Sequence, residues 1–204
     1  MPTAPTSSSS ASAWAISAWL AAQLAALGLC AMRIMLWARA PRAGEQLALY
    51  AVLATQIAAS ALLFPLLMRN LSCAVFAIVT AWPLAQLAAF LADTPIHQLL
   101  AAESYVSLWL IALYLWSMVL QNPWAKVFAT AIAAMLSLGG PLLWYLRLEF
   151  GNVGQPQPRG FADFGPIAGA ISLSIPGAST AGVWVIVLLL ISGAFGLMWK
   201  RIHR

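Results

Sequence analysis

Charge is what this chain has least of. Ten lysines and arginines and five aspartates and glutamates serve 204 residues, 7% of positions, where a soluble domain carries about 25%. Hydrophobic residues make up 63%. So little polar surface cannot cover so apolar a core in water, and lipid is the expected solvent. The charges stand at or between the ends of long apolar stretches, and none marks a stretch centre. Ion coupling and acid–base chemistry inside a bilayer use ionisable groups held there, so edge-only charge counts against both.

Other shortages exclude more. Two cysteines cannot form a disulfide framework. Cys30 and Cys73 fall at span ends expected on opposite sides, so they read as small buried side chains. With His97 near a membrane edge and His203 in the tail, bis-histidine haem ligation inside the spans is not available. No phosphate-binding loop, GxSxG elbow or HExxH pair occurs. No cofactor and no metal is therefore expected, and no catalytic set is visible. The net charge of +5 comes without a basic stripe interleaved with aromatics, so nucleic acid is not an expected partner.

What is present are six apolar runs: Ala13 to Met32, Leu47 to Met68, Leu71 to Ala92, Ser104 to Gln121, Val127 to Leu146 and Ala181 to Trp199. Each matches the roughly 20 residues that cross a hydrocarbon core about 30 Å thick. A helix satisfies its own backbone in lipid, so the expected fold is all-α, a polytopic six-helix membrane bundle over residues 13–204. The Ser/Thr/Pro-rich start, Met1 to Ser12, reads as a disordered tail. It lacks the basic stretch of a signal peptide, so the first span is expected to stay. The fourth helix has room to begin at Pro95, with Asp93 or Thr94 as its cap.

Positive charge marks the cytoplasmic side, but the count ties. Arg33, Arg39, Arg42, Arg147 and Arg159 fall on one side, Arg69, Lys126, Lys200, Arg201 and Arg204 on the other. The compact basic tail tips the reading toward both termini in the cytoplasm, in a cell inner or plasma membrane. Trp14, Trp37, Trp124, Trp144, Trp184 and Trp199 lie where an interfacial belt is expected. Trp82, Trp109 and Trp116 lie deeper and read as packing residues.

Four features are candidates for function. Gln23, Gln56 and Gln86 recur in a short theme, x-Gln-x-Ala-Ala, on the first three spans. Their amides can bond across close helix contacts or line a path for a neutral solute, in which case all three should converge. Gly139, Gly140 and Pro141 predict a kink or break in the fifth span. The long loop 148–180 is apolar but interrupted from Phe161 to Ser179. It is expected to be a linker, a surface segment or a re-entrant one rather than a seventh helix, with Phe161, Asp163 and Phe164 as contact residues. Asp93, His97 and Glu103 offer an acid–histidine group at one membrane edge, too few for a metal site. Ser192 and Gly196 form a small-xxx-small pair.

The sequence thus points to a non-catalytic membrane subunit or scaffold of a transport or assembly system. Lipid and other membrane subunits are its expected partners. A small permease for a neutral or lipid-like solute is the alternative, and an interfacial enzyme comes third.

Overall fold

Apolar runs in this chain become helices because lipid offers backbone groups no other partner. The computed structural model describes residues 7–36, 47–150, 165–174 and 181–202, and among them every regular element is a helix. In chain order they are α1 (Ser7–Leu36), α2 (Leu47–Leu62), α3 (Phe64–Leu67), α4 (Leu71–Leu91), α5 (Ile96–Val119), α6 (Pro123–Phe150), α7 (Pro166–Leu173) and α8 (Ala181–Ile202). Five stretches are long and apolar enough to cross a membrane: Ala11–Met32, Leu71–Leu91, Ile96–Val119, Pro123–Leu142 and Val183–Ile202. The remaining predicted span is represented by the shorter Leu47–Leu62.

Pro65 explains that shortfall. Without an N–H it cannot bond to the carbonyl four residues back, and its ring crowds that turn. The helix steps at Leu63, whose N–H still reaches Ala59 O at 2.9 Å, and restarts as α3 with Pro65 in its first turn. Leu67 and Met68 then bond back to Leu63 and Phe64 at 2.8 and 3.1 Å.

The bundle closes around a stripe of methyl groups. Ala74, Ala77, Ala81, Ala85 and Ala88 recur every three or four residues along α4, and all are buried. That face packs on α2, α5 and α1, and side chains this small let backbones approach closely. α5 is the most enclosed of the long helices; it packs along α8, α4 and α2, and α7 lies across it.

Several expectations change. α1 begins at Ser7, so Ser7 to Ser12 are helical rather than part of a tail; serine costs under about 0.7 kcal/mol relative to alanine in a helix. α6 runs unbroken through Gly139, Gly140 and Pro141, because one missing donor does not stop a helix whose flanking turns are intact. The segment expected to lack a helix forms α7, with Pro166, Ile167, Gly169 and Ala170 buried. Gly165 and Pro166 start it, and α2, α5, α6 and α8 surround it, so a simple solvent linker is excluded for this part. Phe161, Asp163 and Phe164 lie outside the described residues. Neither Asp93 nor Thr94 caps α5; Pro95 holds that position without a side-chain cap bond. Asp93 instead ends α4, in the left-handed region at φ 48°. Around it Thr94 N–H bonds to Ala89 O at 3.0 Å and Asp93 N–H to Phe90 O at 3.4 Å, the paired bonds of a Schellman stop, where aspartate is among the few non-glycine residues tolerated.

The small pair on α8 finds its partner inside this chain, with a shifted register. Gly193 and Gly196 face α5, while Ser192 is exposed. A Cβ on Gly193 would lie 3.2 Å from Leu115 Cβ, and one on Gly196 3.2 Å from both Val119 methyls. Trp116 Nε1 donates to Leu189 O at 3.2 Å and Lys200 Nζ to Met118 O at 3.0 Å, fixing the same helix pair. Trp14, Trp124, Trp184 and Trp199 are exposed, as a belt requires, and Trp109 is buried.

Gly169 is tighter still. A Cβ there would collide with the Tyr105 hydroxyl and sit 2.6 Å from its Cζ. Gly169→Ala is therefore expected to lower stability in detergent by about 1–3 kcal/mol, an overpacking cost. Gly28 and Gly139 have nothing within 4 Å, and alanine at either should raise stability by about 0.5–1 kcal/mol. Thermal unfolding of the three variants checks the contrast.

Candidate functional site: a buried carboxyl between α2 and α5

The first turns of α5 place an acid inside the bundle. Helix formation from Ile96 puts Glu103 seven residues in, about 10 Å along the axis at 1.5 Å per residue. Glu103 is 0% exposed. This corrects the expectation of charge at the edges only. The long fourth helix expected from Pro95 is present, beginning at Ile96; what the charge pattern did not give is that its first turns are packed inside the bundle. Leu99, Ala102, Val106 and Leu110 share its buried environment, so this part of α5 is packed rather than lying at a wet interface.

α2 brings Gln56 to the same place. Gln56 is also 0% exposed, about 14 Å into its helix by the same rise. Its side chain approaches the Glu103 carboxyl, and its amide Nε2, which carries two N–H groups, donates one of them to Ala81 O of α4 at 3.1 Å. Gln56 Oε1 and both Glu103 oxygens are buried without a hydrogen-bond partner among the described residues. Buried acceptors without partners are costly and mark a place where the native structure tolerates strain or expects an occupant.

One turn further along, the polar groups are satisfied. Trp109 Nε1 donates to Ser60 Oγ at 3.0 Å, and Ser60 Oγ donates to Ile57 O at 2.8 Å. Trp82 Nε1 reaches Ser107 Oγ at 3.2 Å, and Ser117 Oγ bonds Met68 O at 2.8 Å. These bonds lock α2, α3, α4 and α5 together; among the described residues Trp19 Nε1, Gln23 Oε1 and Ser137 Oγ are the buried atoms outside the Glu103–Gln56 contact left without a partner. Beyond Trp109 lies a cavity of about 120 Å³ with only apolar walls, among them Phe64, Trp109, Leu113, Trp116, Ile132 and Leu189.

α7 covers the site from the end where α2 and α5 begin. Its Gly169 lies against Tyr105, two residues after Glu103. The Tyr50 side chain of α2 hydrogen-bonds Ser174 at the end of α7.

The other sequence candidates separate. Gln23 is buried, with Nε2 3.4 Å from Trp19 O and Oε1 unpartnered. Gln86 is exposed, so the three glutamines do not converge. The α4 face that packs inward is its alanine stripe, and Gln86 is not on it. Asp93 and His97 are exposed while Glu103 is enclosed, so that acid–histidine group does not assemble. Among the described residues no group of three or more His, Cys, Asp or Glu is positioned to hold a metal ion. Cys30 and Cys73 are both buried and are not joined in a disulfide. Pro95 was legible as a helix start with Glu103 two turns beyond it; that those turns are enclosed was not.

The chain matches no protein family, and neither the curated proteins nor the solved structures contain a significant match to it.

Buried polar pairs and unpaired polar atoms respond differently to substitution. Ser60→Ala leaves the Trp109 N–H unpaired and should cost about 1–3 kcal/mol. Glu103→Leu removes a buried ionisable group and should be neutral or stabilising. Opposite signs in thermal unfolding are the expected outcome.

Proposed function

We propose that the chain is a six-crossing integral membrane carrier, acting alone or as the membrane subunit of a transport system, with the Glu103 carboxyl as its working group. One observation carries the reading: a 0% exposed carboxyl, both oxygens without a hydrogen bond of good geometry among the described residues, beside the Gln56 side chain. An ionisable residue enclosed at membrane depth is expensive and marks ion or proton pathways. An apolar side chain of similar size would fill this position at lower cost, so stability does not explain the glutamate.

The six crossings count α2 and α3 as one stepped span, Leu47 to Met68, long enough to reach across the core. In that order all five acids (Glu45, Asp93, Glu103, Glu149, Asp163) fall toward the end where α1 finishes, with five of the ten bases. The opposite end holds the other five bases and no acid. An acid-free basic end suits the anionic cytoplasmic leaflet, which puts both termini inside. Glu103 then lies nearer the outer end, under α7. The neutral-solute path through three glutamines loses its support, because Gln86 faces outward.

A scaffold role is the second reading. It is favoured by α8, whose candidate span is only 11% buried and turns Trp184, Leu188, Ile191 and Phe195 outward. Native mass spectrometry from mild detergent separates the two. A clean monomer with no co-purifying protein counts against the scaffold.

The working-group reading has a direct test. Dicyclohexylcarbodiimide is apolar and adds to protonated carboxyls in apolar surroundings. In membranes carrying the full chain, the adduct should map to Glu103, spare the exposed Asp93, and vanish in Glu103→Gln. Absence of the adduct at Glu103, with the reagent active on a control protein, sinks the reading.

A further inference from the structure

Two helices that follow each other directly stand apart in this bundle. Only Leu120, Gln121 and Asn122 separate α5 from α6, and so short a connection ordinarily makes antiparallel neighbours. α6 packs instead on α2, α7 and α3, and α5 on α8, α4 and α2. The cavity of about 120 Å³ lies between them, partly open to the outside, with Phe64, Trp109, Leu113, Ala133 and Leu189 among its walls. The wall tryptophans already use their N–H groups, Trp109 on Ser60 Oγ and Trp116 on Leu189 O. A polar guest therefore finds no partner there, and an empty cavity forfeits dispersion contacts along its lining.

Size and depth restrict the occupant. A partner helix is about 10 Å across, too wide for this space. A dry apolar cavity of similar size takes a benzene-sized guest, about six carbons, which matches part of one acyl chain. Along α6 the wall residues Ala129 and Leu136 lie about 9 and 20 Å beyond Pro123 at 1.5 Å per residue, below the headgroups and among the chains. Bases gather above them, around the last turn of α5. Ser117 Oγ donates to Met68 O at 2.8 Å, which brings the neighbouring Arg69 there. Lys200 Nζ donates to Met118 O at 3.0 Å, and Lys126 closes the first turn of α6. No acid occurs in 64–71, 116–136 or 189–204.

We propose that this crevice seats one acyl chain of an anionic phospholipid, with its net negative headgroup among Arg69, Lys126 and Lys200. Basic pockets between membrane helices recognise anionic headgroups in this way. The chain fills the gap that α5 and α6 leave between them, and the headgroup offsets three bases that no acid balances. The site lies at the opposite end of α5 from Glu103 and does not depend on the role of that carboxyl.

Photolabelling of the full chain in phosphatidylcholine nanodiscs tests it, with a trace of phosphatidylglycerol or phosphatidylcholine that carries a diazirine at mid-chain. Adducts on the buried wall residues Trp109, Leu113 and Ala133 should form about tenfold more from the phosphatidylglycerol probe, as several bases at one headgroup imply. Lys126→Gln should lower that preference about fivefold, the effect of one base near the surface. Ala133→Phe fills the cavity and should remove adducts at Trp109 and Leu113, while labelling of the outward Phe128 and Trp184 persists. Adducts confined to outward residues in the wild type overturn the site. Equal labelling of the three wall residues by both probes overturns the anionic headgroup. The wild-type comparison decides both outcomes even if Ala133→Phe fails to fold.

Discussion

Close approach of backbones is the constraint on which this structure depends. In lipid, burying an apolar side chain against another gives no hydrophobic gain, so helices associate through packing and polar contacts. The alanine stripe of α4 supplies the packing: five methyl-sized side chains let α2, α5 and α1 gather on one face. Gly193 and Gly196 do the same between α8 and α5, and Gly169 between α7 and Tyr105. Larger residues at these positions would move α2 and α5 apart and dissolve the contact between Gln56 and Glu103.

Once the helices are close, short polar side chains fix their register. Trp109 to Ser60, Trp82 to Ser107 and Ser117 to Met68 O pin α5 to its neighbours. Each bond satisfies a group that lipid would leave bare. Among the described buried side chains left without partners, which include Trp19, Gln23 and Ser137, Glu103 is the ionisable one. Glu103 holds two buried carboxyl oxygens without partners among the described residues. Burying such a group unpaired costs free energy that a proton on it reduces, which is the physical basis of the proposed working role. α7 adds a cover, since its Gly169 packs on Tyr105, two residues after Glu103, and Ser174 at its end meets Tyr50.

Much of the fold was legible because membrane length and apolar composition are local properties. Leu71–Leu91 was readable almost to the residue, since Asn70 and Asp93 bound it with polar groups. Gln23 and Gln56 were readable as buried polar residues at mid-span. Gln86 was not readable as exposed: its Ala-rich neighbourhood is the same, and only the face chosen by the alanine stripe decides where it points. Gly139, Gly140 and Pro141 read as a kink or a break, and of these the break is absent: α6 stays helical, because a helix tolerates one missing hydrogen bond when adjacent turns hold. α7 escaped notice because eight residues between glycines and prolines fall short of any span. Its helix is stable only with α2, α5, α6 and α8 around it.

By itself the sequence determined the solvent, the all-helical class and the approximate spans. These follow from how little charge the chain has and how long its apolar runs are, and neither needs a partner in space. It also determined that few polar groups would be available for function. Only the tertiary structure decided which of them meet. Whether Glu103 belongs to a wet edge or an enclosed core depends on where α5 starts and on what α2 and α7 bring against it. Those contacts join residues about 50 to 70 positions apart along a chain whose helices are each about 1.5 Å per residue, and no local pattern encodes them.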